Sequence, residues 1–301
     1  NPNGADPTAK YEVLLRGTNT LSAGQGPLII IDGVAGADIR NINFQEVESI
    51  DVLKDGSAAA IYGTRGTNGV IIVTTKRARS GKTEVSYDGQ LTVGVVSRRA
   101  KPLSASEYKS VIKEYRPELE SYIFDSDTDW FKEIYRTAIS QQYNFSMSGG
   151  NEKTQHYVSL NYLKEVGTEP NNKYDRLGMN IKLTHNPSEK IRITGGLGAT
   201  MKNDRVTASS VNSLEYAMYA NPYERLKNED GTKAYDISYN AKESSIRDGL
   251  DWDTFNILDD LNRNTNTNRY LDAELSLKVE WEIVKGLMFT THGVYNANSN
   301  H

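Results

Sequence analysis

The residues most suggestive of chemistry lie in "KDGSAAAIYGTRGTNGVIIVTTK", positions 54–76, where glycine recurs at Gly63, Gly66 and Gly69. Glycines beside a helix and a strand are what a phosphate-binding loop uses. The spacing excludes one. A Walker loop needs glycine, four residues, then Gly-Lys-Ser/Thr. "GKT" stands at 81–83, but the position five before Gly81 is Lys76. A dinucleotide fingerprint sets its glycines ahead of a helix, so that the helix N-terminus meets the anion. Here they follow the helix expected over 57–62 and precede the strand expected over 70–73. The reading that survives is conformational: tight turns and close packing, which glycine permits.

Other reactive groupings give no active site either. "DSDTDW" sets carboxylates at Asp125, Asp127 and Asp129, as a calcium loop begins, but Trp130 and Arg136 occupy the positions where an EF-hand needs glycine and glutamate. That leaves an irregular calcium site, with a solvated loop as the simpler reading. His156, His185, His292 and His301 include no pair at helical metal spacing. No Gly-x-Ser-x-Gly motif occurs. The chain has no cysteine, which removes thiolate metal sites, disulfides and a cysteine nucleophile. Asp272 and Glu274 share a strand face, which a hydrated interior explains. The expectation is no catalytic residue, no metal and no cofactor.

Composition narrows the class. A net charge of -4 gives no basic footprint for nucleic acid. With 37% hydrophobic residues and a mean hydropathy of -0.60, no run approaches the ~20 apolar residues of a spanning helix. A β-barrel escapes that test, because only alternate residues meet lipid.

The first 78 residues read as a small α/β module. "LIII" at 28–31 is a short strand closed by the Asp32-Gly33 turn signal. Asn43 is placed to cap a single helical turn. A strand carrying Ile50 and Val52 follows, and Asp55 is placed to cap the 57–62 helix. Gly63 falls where a helix ends in a left-handed residue. "GVIIVTT" is β-branched enough for a central strand.

Beyond Gly81 the pattern changes to strict period two. From 84 to 95, Val85, Tyr87, Leu91, Val93 and Val95 alternate with Glu84, Ser86, Asp88, Gln90 and Thr92. Six further runs follow, around Tyr143–Met147, Val158–Tyr162, Leu177–Leu183, Ile191–Met201, Leu271–Trp281 and Leu287–Tyr295. In all seven, charged residues keep to the polar face. The connections "GNEKT", "NPSEK" and "EIVKG" are short, and those near 97–140, 166–173 and 203–268 are longer. Alternating short and long connections are the habit of an outer-membrane barrel. Tyr162, Tyr174, Tyr270 and Tyr295 near the long connections, and Trp281 near a short one, are expected to form two aromatic girdles. In the first long connection, Ser104 and Glu107 make a capping box and Pro117 limits the helix.

The order of motifs carries a resemblance. "LLRGTNTLSAGQGPLIIIDGV" followed by "VESIDVLKDGSAAAIYGTRGTNGVIIVTTK" resembles the plug of SusC/RagA-like TonB-dependent outer-membrane receptors. Leu15 before Arg16-Gly17 departs from the isoleucine more usual there. "TDWFKEIYRTAISQQYNFSMSGGNEKTQHYVSLNYLKEVG" is similar to the early barrel of the same family. The resemblance implies a membrane β-barrel of about 22 antiparallel strands when complete, with a small α/β plug. About seven strands fall here, so the expected division is a plug over 1–78, incomplete at its N-terminus, and the N-terminal part of the barrel over 79–301.

It also implies a function: import of a large nutrient, a glycan or an oligopeptide, across the outer membrane of a Gram-negative bacterium. The implied partners are a SusD-like surface lipoprotein, TonB through a segment outside this chain, the nutrient and the lipid bilayer. The ligand contacts it suggests are Asn19, Thr20 and Gln25 after Arg-Gly, and Asp38 and Arg40 after Asp-Gly. The alternative is a soluble or surface-anchored β-rich binding protein such as an adhesin, since a soluble sheet also buries one apolar face.

Overall fold

The protein is described from a computed structural model, which covers residues 7, 26–35, 42–53, 62–97, 101–122, 126–207, 212–220, 222–223 and 257–300. Among the described residues the strands form two sheets, one of four strands and one of seven.

The smaller sheet contains β1 (Leu28–Ile31), β2 (Val34–Ala35), β3 (Val47–Leu53) and β4 (Val70–Thr75), in the order β2-β1-β4-β3. β1 and β2 are antiparallel across the two-residue Asp32-Gly33 turn. Both turn residues have positive φ, 48° and 91°, as a hairpin turn matched to strand twist requires. β4 runs parallel to β1 and antiparallel to β3, so it is central. Its alternate side chains enter two cores: Val70 packs with Ile30, Leu28 and Leu53, while Ile71 and Val73 pack with Ile42, Ile31 and Val47. A strand covered on both faces reads as a continuous apolar run, which explains "VIIV". Asn43 caps the turn at Phe44–Glu46, its Oδ1 accepting from the Gln45 N–H at 3.1 Å. Most of the 57–62 helix, and Asp55, lie outside the described residues.

The larger sheet is a meander of β5 (Gly81–Gly94), β6 (Ala138–Gly150), β7 (Thr154–Val166), β8 (Lys173–Ser188), β9 (Ile191–Thr207), β10 (Thr265–Val284) and β11 (Leu287–Asn300). Each strand pairs antiparallel with the next. All seven alternating runs are therefore strands; β6, β7, β8 and β10 extend beyond the run at both ends, while β5 stops at Gly94 and β9 and β11 start where their runs do. β8 loses register between His185 and Ser188, where Pro187 has no N–H to give the ladder.

One face of this sheet is apolar and open. Val85, Leu91 and Val93 are more than 60% exposed, and Leu160, Leu197 and Leu275 are 41–58% exposed. The other face carries Asn144, Ser159, Asn161, Arg176 and Lys202, all buried. The aromatic expectation divides. Tyr162 and Tyr295 sit on the open apolar face. Tyr174 and Tyr270 are corrected: they line the inner cavity instead. Strand parity explains this, because each shares its phase with the polar set, Tyr174 with Arg176 and Asn180, Tyr270 with Asp272. Nearness to a long connection does not decide the face.

The long connections fold together. α1 (Ala105–Tyr115) and α2 (Trp130–Ile134) belong to the first, α3 (Ser213–Tyr219) and α4 (Ile257–Arg263) to the third. Trp130, Ile134, Tyr216, Ala217, Ala220, Ile257 and Leu261 make one apolar core between them. The β7–β8 connection, second of the longer ones, lies against this core: Asn171 Nδ2 donates to the Leu261 carbonyl at 3.1 Å, and Ser213 Oγ donates to Glu169. Burial pushes the Tyr135 phenol above its ordinary range. Its hydroxyl is 2.9 Å from Ser213 Oγ. The Ser104–Glu107 capping box forms at the start of α1. Asp127 is used structurally, its Oδ1 accepting from the Ala105 N–H at 2.8 Å.

Candidate functional site

Where the small sheet meets the inner face of the large one, the contact is polar and centred on two carboxylates. Glu46 ends the turn that Asn43 caps, and is 6% exposed. Its Oε1 accepts from Ser159 Oγ at 2.8 Å, Asn161 Nδ2 at 3.1 Å and Asn43 Nδ2 at 3.3 Å. Its Oε2 accepts from Asn180 Nδ2 at 3.2 Å. Neutral donors thus solvate a buried carboxylate, as burial requires. Gly178 leaves the room this needs: a Cβ there would lie 2.6 Å from Asn161 Nδ2. Beside it, Asn43 Nδ2 donates to Asn144 Oδ1 at 2.8 Å, Gln142 Nε2 donates to Asn43 Oδ1 at 3.3 Å, and Arg176 Nη1 donates to the Ile42 carbonyl at 2.8 Å.

The second carboxylate is Asp32, in the β1–β2 turn. Its Oδ2 accepts from Lys182 Nζ and from Thr75 Oγ1, both at 2.6 Å, and its Oδ1 accepts from the Thr75 N–H at 2.9 Å. Lys182 also donates to Thr75 Oγ1. Burial pushes the Asp32 carboxyl up, but Lys182 and the Thr75 donors outweigh it and hold the group below its ordinary 3.8. The turn geometry that places this carboxylate is uncommon for a residue with a side chain, and aspartate tolerates it better than most.

From this patch a cavity of about 830 Å³ opens towards β9–β11. Asp32, Thr75 and Arg77 border it on one side, and Arg192, Lys202, Asp272, Glu274, Lys278 and His292 are among those on the other. Charges of both signs are paired there: Lys202 with Asp272 at 2.7 Å and Lys278 with Glu280 at 2.8 Å. Lys202 also lies 5.4 Å from the centre of the Tyr270 ring. Such a surface is polar and ion-paired. It is suited to contact with water or polar solutes.

Of the residues expected to touch ligand, Asn19, Thr20, Gln25, Asp38 and Arg40 all lie outside the described residues, as does Asp125 of the calcium candidate. Asp32 was legible only as a turn residue and Asn43 only as a cap, and Glu46 was not singled out at all. A signal existed in the inner-face Ser159, Asn161 and Asn180, which are the complement a buried carboxylate needs, but no sequence spacing ties them to position 46.

The comparisons with known proteins agree with this geometry. A family model described as TonB-dependent Receptor Plug Domain matches residues 2–70. The TonB-dependent receptor SusC of Bacteroides thetaiotaomicron is 33% identical over 192 residues, covering 60% of this chain and 19% of that protein. That match is too long to be confined to the small sheet. The chain belongs with the SusC/RagA-like TonB-dependent receptors. TonB-dependent receptor P39 of Formosa agariphila is 30% identical over 237 residues, 75% of this chain and 22% of its own. The chain thus spans about a fifth of the length of these curated relatives. In fold it is similar to the structure of the RagAB peptide transporter, with a TM-score of 0.79 and 19% identity over 99% of this chain and 37% of that one. The small sheet is the receptor's plug, and the seven-stranded sheet is barrel wall.

Proposed function

We propose that the receptor imports a large nutrient, a glycan or an oligopeptide, across the outer membrane of a Gram-negative bacterium, acting as a transporter and not as an enzyme. The plug is residues 1–78 and the wall residues 79–301. A SusD-like lipoprotein on the outer surface and TonB on the inner side are the partners of this reading. The kinship to SusC and the fold shared with a peptide transporter support it.

The observation that carries it is the chemistry of the plug–wall contact. A plug glued by an apolar core would expose that core to water whenever it moved. This one is held by hydrogen bonds and an ion pair, which water can replace at a net cost of only about 0.5–1.5 kcal/mol for a typical bond. The open apolar face supports the membrane setting. Exposed apolar surface on that scale marks contact with lipid or protein.

Two measurements test the reading. The receptor should stay in the outer-membrane fraction after a high-salt wash, where an adhesin held by charge would leave. Deleting its gene should stop growth on one class of glycan or peptide and spare growth on the monomers. Unchanged growth on every polymer offered would overturn the import role.

A further inference from the structure

Four wall strands run past their apolar rows at the end nearest the long connections, and the phase that faces outward becomes charged there. Tyr143, Tyr162, Leu177, Met201 and Leu271 form one cross-strand row of the open apolar face. The next row on that face, towards the long connections, is Lys164, Asp175, Asn203 and Arg269. One step further, Lys173 lies directly opposite Arg205. Lys164 and Arg269 are exposed, and Lys173 and Arg205 are half-buried. Four cations thus share the face with a single carboxylate, Asp175. They lie on β7–β10, each of which has both of its neighbours in the sheet. At the short-turn end of the same strands, this phase carries His156, His185, Ile193 and Trp281, and no lysine or arginine.

Position and pairing both point to an anion. Tyrosines of a membrane wall sit at headgroup level, and the cations begin one residue pair beyond Tyr162, a rise of about 7 Å. Like charges directly opposite on two antiparallel strands repel, so Lys173 and Arg205 call for a negative group between them. Among the described residues, Arg205 Nε is buried with no hydrogen-bond partner. Long cationic side chains that merely reached for water would serve at either membrane surface; here they stand at one end only. We propose that this face binds a phosphorylated glycolipid of the outer leaflet. Lys173 and Arg205 grip its phosphate, the guanidinium offering a planar fork to the oxygens, while Lys164 and Arg269 flank it. The acyl chains lie along the apolar rows beneath, where Ala199 and Ala273 face each other and let a chain come close to the sheet. The proposal rests on the outer-membrane setting of the transport reading above.

The test uses full-length receptor, purified in mild detergent and stripped of lipid. Diphosphoryl lipid A is the probe and its dephosphorylated form the comparison, with retention read by native mass spectrometry. Wild type is expected to retain the diphosphoryl form several-fold more, and Lys173→Gln/Arg205→Gln to lose that preference. The charge-conserving Lys173→Arg/Arg205→Lys should keep it, as should Lys153→Gln/Lys190→Gln in the short turns at the other end. Heat-modifiable gel mobility shows that each variant has folded. Should the first double change prevent folding, Lys164→Gln/Arg269→Gln, both exposed, must show the loss instead. Equal retention of the two lipids by wild type overturns the proposal, as does an undiminished preference in the glutamine variants. Inorganic phosphate that displaced the lipid at equal concentration would make this a free-anion site and overturn the lipid assignment. So would an acidic protein that copurifies with wild type and leaves the glutamine variant while lipid stays bound. Each of these failures leaves the growth and membrane-wash tests of transport untouched, so the two readings fall separately.

Discussion

Asp32 and Lys182, 150 residues apart in the chain, are joined at 2.6 Å across the boundary between plug and wall. The Asp32 carboxyl is held below its ordinary 3.8, so its contribution follows a fixed sign. Stability from a depressed carboxylate is fully present above the unfolded value and is lost as pH falls through the folded one. Plug attachment should therefore be flat from neutral pH down to about 4 and weaken below that. Asp32→Asn should weaken attachment at neutral pH and remove this acid step. Protease sensitivity of the plug, measured against pH in purified receptor, checks both. An unchanged acid step in the variant would assign it to another group.

Glu46 offers a sharper contrast. Glu46→Gln keeps the shape but replaces one carboxylate oxygen by an NH2, which then faces a donor whichever way the amide turns: Asn180 at the Oε2 position, or Ser159 and Asn161 at the Oε1 position. Leaving buried donors unmet costs about 1–3 kcal/mol each. The plug should become protease-sensitive while the wall keeps its heat-modifiable gel mobility. Wild-type resistance in Glu46→Gln would show that the cage does not hold the plug.

On the membrane reading, Leu275→Arg and Ser276→Arg should differ although they are neighbours. Leu275 is 58% exposed on the apolar face, and Ser276 lines the inner cavity. An arginine in lipid at mid-bilayer costs about 2–4 kcal/mol, while a side chain reaching into the cavity stays wet. Assembly into the outer membrane should fall for the first variant and be largely kept for the second. Equal loss from both would count against a lipid-facing wall.

Trp130 is 3% exposed, and its ring meets that of Tyr216 edge-on at 5.2 Å between centroids. Since they belong to different connections, Trp130→Ala should loosen both together, at about 3–5 kcal/mol for a buried aromatic. Limited proteolysis should then cut within 95–137 and within 208–264, leaving the wall intact. Cleavage confined to the first segment would mean that the shared core does not couple them.

The wall was readable because a half-buried strand writes its face into every second residue; Glu84 to Val95 displays it without help from any other segment. The outer cap was not, since Trp130, Tyr216 and Ile257 meet only through tertiary packing and no local period announces it. Tyr174 and Tyr270 show the limit within the wall itself. Their distance from a strand end suggested a girdle, while their phase, which was equally visible, put them inside.

The glycine run that first suggested a phosphate loop requires a positive φ at two of its three positions. Gly63 and Gly69 have φ of 63° and 92°. Gly66 is buried and closes the 3-10 turn Gly63–Gly66, a tight turn without a positive φ. Gly69 matters most, because its N–H donates to the Gly66 carbonyl and its own carbonyl accepts from the Leu28 N–H, both at 3.0 Å. That pins the start of β4 beside β1. A Cβ at such a φ costs on the order of 1–3 kcal/mol, more than the roughly 0.4–1 kcal/mol that alanine gains by restricting the unfolded chain. Gly69→Ala should lower the yield of protease-resistant plug more than Gly66→Ala does. Calorimetry with ATP and GTP on detergent-purified receptor should show no binding by wild type or either variant. Micromolar nucleotide binding abolished by a glycine substitution would restore the phosphate-loop reading.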